Sequence, residues 1–403
     1  MSAYTDSLLP VRWPDEPRSS YDVIIIGGGG HGLSTAYHLA TRHGITNVAV
    51  LEADYIASGN TGRNTTIIRA NYGIPEAIRF YQHSLELYKH LEEETGAAIL
   101  HQTKGIIWLA HTEMAMRTER GRCLMNTACG AITEMRTPAE LKEIVPELDL
   151  TGGGRYPVLG GSHHVEAATA RHDRVAWAYA SGASQRGVDI HQHTPVTGLV
   201  RDGDRVMGVQ TAQGPIAAGV VLSAVGGRVT AMAAHAGVRL PVRTHPLHAF
   251  VTNDYAQSFS PIVASTELMC YVSQTERGQM LIGAEFDSQP SYSRQSSFAA
   301  LRSYSHKITR ILPFLRDLRI LRTWAGICDI SADYSPIMGT TGVDGFLVTT
   351  GWGTWGFKAI PAGGEALAER IATGRTPALI APFGLDRFPQ DLAMADQASA
   401  GTR

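Results

Sequence analysis

The sequence predicts an α/β chain built on an adenine-dinucleotide unit, and three observations carry that prediction. A short apolar run over residues 21–26 has the β-branched character of a buried parallel strand. A glycine cluster with Gly27, Gly29 and Gly32 follows it directly and opens a helix on which Leu33, Ala36, Tyr37 and Ala40 fall at helical spacing, with Gly44 placed to end it. A second strand over residues 47–51 then ends on Glu52.

Each glycine has a separate task. Gly27 permits the tight turn, Gly29 lets the backbone approach a pyrophosphate, and Gly32 lets helix and strand pack closely. Free N–H groups around Gly30 and His31 at the helix start form an anion site, and His31 is expected to act through its backbone, not as an acid or base. Glu52, twenty residues after Gly32, can accept from ribose hydroxyls and would repel a 2′-phosphate, which argues against NADP. The motif alone leaves FAD and NAD open.

Composition removes other classes. The chain has 403 residues, 44% of them hydrophobic, and a formal net charge of -2, with no basic block interleaved with aromatics, so nucleic acid is not expected as a partner. Its longest apolar runs fall far short of the ~20 residues of a membrane helix, and no membrane is expected either. Residues 1–20 carry Asp6, Asp15, Glu16 and three prolines without an apolar stretch behind a basic start, which predicts a polar arm and a cytoplasmic protein. Cys123, Cys129, Cys270 and Cys328 lack paired close spacing and read as idle thiols, so no metal is expected. The pairs His163-His164 and His191/His193 read as loop and strand surface.

Further along, helical patterns cover residues 71–94, 138–144, 171–186, 297–312 and 361–372. Strand patterns cover 102–110, 188–194 and 346–349, two β-runs turn at Asp202-Gly203 and Gln213-Gly214, an apolar strand over 220–225 closes on Gly226-Gly227, and 248–286 is β-rich. This interleaving predicts two domains whose segments alternate.

The loop of residues 59–72, read with Gly27 to Gly32, Ala170-Arg171-His172-Asp173, Arg322-Thr323-Trp324 and residues 351–358 (Gly-Trp-Gly-Thr-Trp-Gly-Phe-Lys), resembles the β subunit of heterotetrameric sarcosine oxidase over nearly the whole chain. The resemblance implies a glutathione-reductase-like FAD-binding domain (residues 21–95, 150–240 and 325–403) joined to a β-rich α+β substrate domain (96–149 and 241–324), behind the arm of residues 1–20. It implies non-covalent FAD against Asn60, Thr61, Arg63, Asn64, Thr66, Ile67, Gly353, Gly356 and Lys358, with Val196 at the adenine end. It also implies a second flavin, FMN, bonded covalently to His172, with Arg171 and Arg322 suited to its phosphate and to charge on its reduced ring, and α, γ and δ partner subunits.

By the same resemblance, Arg69 and Lys358 clamp the carboxylate of sarcosine or a similar secondary amine. The products would be glycine and either formaldehyde or methylene-tetrahydrofolate, with oxygen reduced to hydrogen peroxide. A dehydrogenase for proline, hydroxyproline or another N-alkyl amino acid would carry the same clamp, and a non-catalytic flavin-holding relay subunit would not need it. Two departures stand out: residues 269–285 hold no lysine to activate oxygen, and Trp355 is expected to tighten the substrate pocket.

Overall fold

The computed structural model describes residues 10–389. The expected dinucleotide unit is present: strand Ser20–Ile26, helix Gly30–Arg42 and strand Val48–Leu51, with the two strands parallel and the helix entered through Gly29. Burial on both faces accounts for the near-continuous apolar sequence of these strands. Around them an eight-stranded sheet forms. Asp189–His191 lies beside Val48–Leu51, and Gly214–Ser223 lies parallel to Ser20–Ile26 on the other side. The first half of Gly214–Ser223 pairs with the hairpin Val196–Asp202/Arg205–Thr211, while its last residues pair with Phe346–Thr350. Both expected turns, at Asp202-Gly203 and Gln213-Gly214, are where the sequence put them.

Helices Gly30–Arg42, His172–Ser184, Ile360–Thr373 and Pro75–Thr95 pack on one face of this sheet, and the largest core fills the space between them. Pro75–Thr95 starts on proline and ends on Gly96 with φ 69°, the left-handed cap that a residue with a Cβ adopts at a cost.

A second sheet of eight strands runs in the order Ile320–Ser331, Val242–Asp254, Gln279–Phe286, Cys270–Gln274, Ile262–Ser265, Ile106–Ala110, Gly160–His164 and Thr133–Arg136. Helices Phe298–Ile311 and Pro138–Ile144 cover one face of it. Its other face, with Ile106, Trp108 and Ile262, looks toward the dinucleotide unit.

Sheet membership shifts the expected domain boundaries. Gly160–His164 pairs with Ile106–Ala110 and Thr133–Arg136, so the return to the first sheet falls after residue 164 and not at 150. Ile320–Ser331 pairs along its length with Val242–Asp254, so residues 325–331 belong to the second sheet. The strand pattern over 102–110 is two strands: Gln102–Thr103 joins a small sheet with Ile67–Ile68 and Ala168–Thr169, and Ile106–Ala110 joins the large one. Helix Glu113–Ala128 had no apolar stripe to announce it. Its buried face carries Glu119, Arg122 and Asn126 beside Met116 and Cys123, because an internal ion pair and amide bonds replace part of the usual hydrocarbon.

The histidines also correct the surface reading. His164 is fully buried in its strand, with Nδ1 donating to the Ile132 carbonyl and Nε2 accepting from Ala70 N–H, and His191 is buried as well. Of the N-terminal arm, residues 1–9 lie outside the described residues. The remainder is tied down, since Arg12 and Arg18 both reach the buried Asp189 at 2.8 Å and Trp13 meets Trp177 edge-on.

Past the last helix, Arg387 and Asp333 form a buried two-point ion pair (Nε to Oδ2 2.8 Å, Nη2 to Oδ1 2.9 Å) that pins the segment at residues 384–388 beneath the first sheet. Arg387→Ala leaves the Asp333 carboxylate buried without its guanidinium, and the expected loss is about 3–5 kcal/mol in urea unfolding of the protein.

Candidate functional site

A single cavity of about 910 Å³ lies between the two sheets and extends from Glu52 and Val196 at one end to Arg69, Trp108, Tyr271 and Lys358 at the other. Its shape follows from the glycine turn. Gly27 has φ 109°, and a Cβ on Gly32 would stand 2.1 Å from the Gly27 carbonyl oxygen, so helix and turn are closer than any side chain allows. A Cβ on Gly30 would meet Ile360 Cδ1 at 2.2 Å, whereas one on Gly29 would meet nothing nearer than Thr61 Oγ1 at 3.4 Å, leaving that amide edge open to the cavity. Glu52 is held from behind: Oε2 accepts from Gly28 N–H at 2.8 Å and Oε1 from Asp54 N–H at 2.9 Å.

The loop after the second strand forms one wall. Asn60, Thr61, Arg63, Asn64 and Ile67 line the cavity; Thr66, in a left-handed conformation (φ 64°), does not. Several of these side chains serve the loop itself. The Asn60 amide donates to the Ile327 carbonyl at 2.7 Å and accepts from Ile327 N–H at 2.9 Å, which ties the first sheet's loop to the second sheet. Thr61 Oγ1 accepts from Gly30 N–H, and Trp324 Nε1 donates to the Arg63 carbonyl.

The opposite wall comes from the late glycine segment. Gly353, Gly356 and Lys358 line the cavity. His31 stacks on Trp352 with ring centroids 4.2 Å apart, and its Nε2 donates to the Gly356 carbonyl at 2.9 Å. Burial lowers the His31 pKa to about 4, so the ring is neutral at pH 7 and has no proton to give in acid catalysis. Trp355 departs from the expectation: its ring packs against Tyr72 and Tyr81 in the core and is not part of the cavity wall.

Arg69 and Lys358 are both buried, and both face this cavity. Arg69 Nη1 donates to Asn71 O at 2.6 Å and Oδ1 at 3.1 Å, with the guanidinium 4.2 Å from the Tyr72 ring centre and 5.1 Å from that of Trp108. Lys358 Nζ donates to the Thr354 carbonyl at 3.1 Å. Among the described residues no carboxylate pairs with either cation. Burial first, then the charge of Arg69, pushes the Lys358 pKa well below the usual lysine value.

Sequence reasoning missed three members of the wall. Trp108 sits on Ile106–Ala110; Tyr271, whose hydroxyl lies 2.9 Å from Thr65 Oγ1, has its pKa raised to about 12 by burial. Asp329 accepts from Thr350 Oγ1 at 2.8 Å and from Trp352 N–H, latching the late glycine segment to Ile320–Ser331. None stands in a motif; only strand pairing brings them to the cavity.

His172, Arg171 and Arg322 are elsewhere. His172 begins the helix His172–Ser184, which packs against Thr61–Arg63, and does not line the cavity. Its Nδ1 is buried without a hydrogen-bond partner, and burial lowers its pKa, with Arg171 adding to the shift and Asp173 opposing it. Arg171 is exposed and grips Asp173 at 3.1 and 3.0 Å, and Arg322 is exposed near the start of Ile320–Ser331.

A glycine-rich dinucleotide turn opening into a large cavity between two sheets is the architecture of an oxidoreductase that holds an adenine dinucleotide, and here the far end of that cavity carries two buried cations. Residues 22–370 match the model of the FAD dependent oxidoreductase family. Sarcosine oxidase subunit β of an Arthrobacter species is 42% identical, covering 93% of this chain and 92% of that protein, and the Rhizobium meliloti subunit β is 41% identical over 94% and 90%. L-proline dehydrogenase from P. horikoshii superposes with TM-score 0.87 at 29% identity, over 93% of this chain and 99% of that one. Glycine oxidase from Geobacillus kaustophilus, at 23% identity and TM-score 0.81 over 91% and 99%, shares the fold. The chain belongs to the FAD dependent oxidoreductase family, among the sarcosine oxidase β subunits, and is an FAD-dependent amine oxidoreductase.

Because a Cβ on Gly32 has no room, Gly32→Ala is expected to abolish FAD retention, seen as loss of the flavin absorbance band in the purified protein. Wild-type flavin content in that variant would show that the turn can open.

Proposed function

We propose that this chain oxidises the N-methyl group of sarcosine as the catalytic subunit of a hetero-oligomer, and the observation that carries this reading is the pair of buried, carboxylate-free cations Arg69 and Lys358 at the end of the cavity. The residues present suit non-covalent FAD. The open edge at Gly29 and the amides at the start of Gly30–Arg42 fit the pyrophosphate, Glu52 and Val196 border the ribose and adenine, and the loop of Asn60 to Ile67 with Gly353 and Gly356 leaves a slot for a planar ring. When bound, the flavin accepts the hydride that leaves the substrate methyl carbon.

The chain's own residues then have clear tasks. Arg69, held by Asn71 and braced on Tyr72, presents the planar fork that matches a carboxylate, and Lys358 adds a point charge beside it. Fixing the carboxylate orients the methyl group toward the ring slot. The same two cations disfavour an ammonium nearby, so the substrate amine binds in its neutral form and its lone pair is free to drive hydride departure. Water hydrolyses the resulting imine, and the balance is sarcosine, oxygen and water giving glycine, formaldehyde and hydrogen peroxide. A chain that only relayed electrons would have no use for two buried cations without a carboxylate partner at the end of a cavity.

A second reading, oxidation of proline or another N-alkyl amino acid, is favoured by the likeness to L-proline dehydrogenase, since the carboxylate clamp serves either substrate. The relatives' description as β subunits supports a place in a multi-subunit enzyme, and α, γ and δ subunits are the partners we propose. FMN bonded to His172 is the further cofactor we propose: an orphaned, largely buried ring nitrogen with a lowered pKa suits a neutral nucleophile, and exposed Arg171 and Arg322 suit a phosphate. FMN would supply a second electron carrier at the edge of the chain.

Three outcomes test these assignments. Lys358→Met should keep its FAD and raise KM for sarcosine roughly 100-fold, and an unchanged KM removes Lys358 from the site. A carboxylate ligand prefers protonated Lys358, whose pKa is depressed; binding of methoxyacetate, an unreactive isostere of sarcosine, should therefore weaken as pH rises through that lowered value. Lys358→Met should flatten the profile. His172→Ala should lose all flavin that survives acid precipitation while FAD still appears in the supernatant; flavin left in the mutant pellet rules out attachment at His172.

A further inference from the structure

Trp108 is a side chain on the cavity wall whose chemistry remains unused. It is 7% exposed and lines the cavity, yet its indole Nε1–H has no hydrogen-bond partner among the described residues. A buried donor left unmade is costly, so native proteins rarely keep one without a use. The charged groups around the ring cannot relieve it. Arg69 lies 5.1 Å from the ring centre and Arg122 5.9 Å, and guanidinium groups have no acceptor to offer. Glu119, the nearby carboxylate, is already taken by Arg122 at 2.7 Å and by Ser162 Oγ at 2.5 Å.

The ring itself is firmly placed. It stands on Ile106–Ala110, between Ile262–Ser265 and Gly160–His164 in the second sheet, and belongs to the small cluster with Ile106, Ala167, Ile262 and Ala264. Its neighbour Arg69 is one of the two cations assigned to the substrate carboxylate. An acidic ligand seated on Arg69 therefore comes within reach of the one kind of group that the indole lacks, an anionic oxygen.

We propose that Trp108 donates its indole N–H to the substrate carboxylate and is thus a third, neutral member of the clamp formed by Arg69 and Lys358. This rests on the reading of Arg69 and Lys358 given above. Two cations attract any anion, whereas a directional N–H fixed on a strand selects the orientation of a planar carboxylate. The substrate class that follows is a small amino acid whose carboxylate can meet the Arg69 guanidinium and the edge of the indole together, as opposed to a larger phosphate or sulfonate.

The test uses FAD-loaded protein, together with its partner subunits where they copurify. Trp108→Phe keeps the ring and removes the N–H. Methoxyacetate affinity, read from the flavin absorbance change, should fall roughly 10- to 100-fold, while flavin content and Tm stay at wild-type values. KM for sarcosine should rise. Loss in Lys358→Met without loss in Trp108→Phe overturns this proposal alone; no loss in either variant overturns the underlying clamp. Should Trp108→Phe fail to hold FAD, wild-type protein labelled with 15N at the indoles decides: one Hε1 resonance should move downfield on adding methoxyacetate, and an unchanged set overturns the donor role.

Discussion

Two like charges buried at one end of the cavity, with no carboxylate paired to either among the described residues, set the terms for this whole molecule. Arg69 and Lys358 would each cost several kcal/mol if simply taken out of water, and together they repel. The fold meets this cost with neutral groups: the carbonyls of Asn71 and Thr354, the side-chain oxygen of Asn71, and the faces of Tyr72 and Trp108. What remains is met partly by the lowered pKa of Lys358. Among the described residues no carboxylate pairs with either cation, and in the function proposed above an anionic ligand supplies the rest.

Holding that arrangement requires the two sheets to keep a fixed separation. Asn60 bridges them with both ends of its amide on Ile327, Trp324 reaches back to the Arg63 carbonyl, and Asp329 grips the segment that leads to Lys358. His164, neutral and buried, accepts from the backbone of Ala70 directly after Arg69. The cavity walls are thus tied by hydrogen bonds between chain segments 23 to 267 residues apart, and the residues nearest the planar-ring slot spend much of their side-chain chemistry on the scaffold.

The dinucleotide unit was legible because its signals are local. Gly27, Gly29, Gly32 and Glu52 sit within one βαβ unit, where the positive φ of Gly27 and the missing room for a Cβ on Gly32 dictate residue identity from within the unit. Arg69 and Lys358 were legible only through a resemblance, since a lone arginine or lysine carries no pattern. Helix Glu113–Ala128 was hidden because its buried face is charged, and the split of residues 102–110 between two sheets was hidden because periodicity does not tell a strand which partner it joins. Trp355 misled for a related reason: as a departure from the resemblance it was expected to tighten the pocket, and packing turned it into the core against Tyr72.

By itself, then, the sequence determined the class of ligand at one end of the cavity, through backbone geometry that only glycine permits. Tertiary structure decided everything that depends on distant partners. It put Trp108 and Tyr271 on the wall, left Arg69 and Lys358 without a carboxylate partner among the described residues, and kept His172 away from the cavity at a helix start. The physical reason is that steric constraints act between neighbours in the chain, whereas desolvation and charge pairing depend on which strands meet.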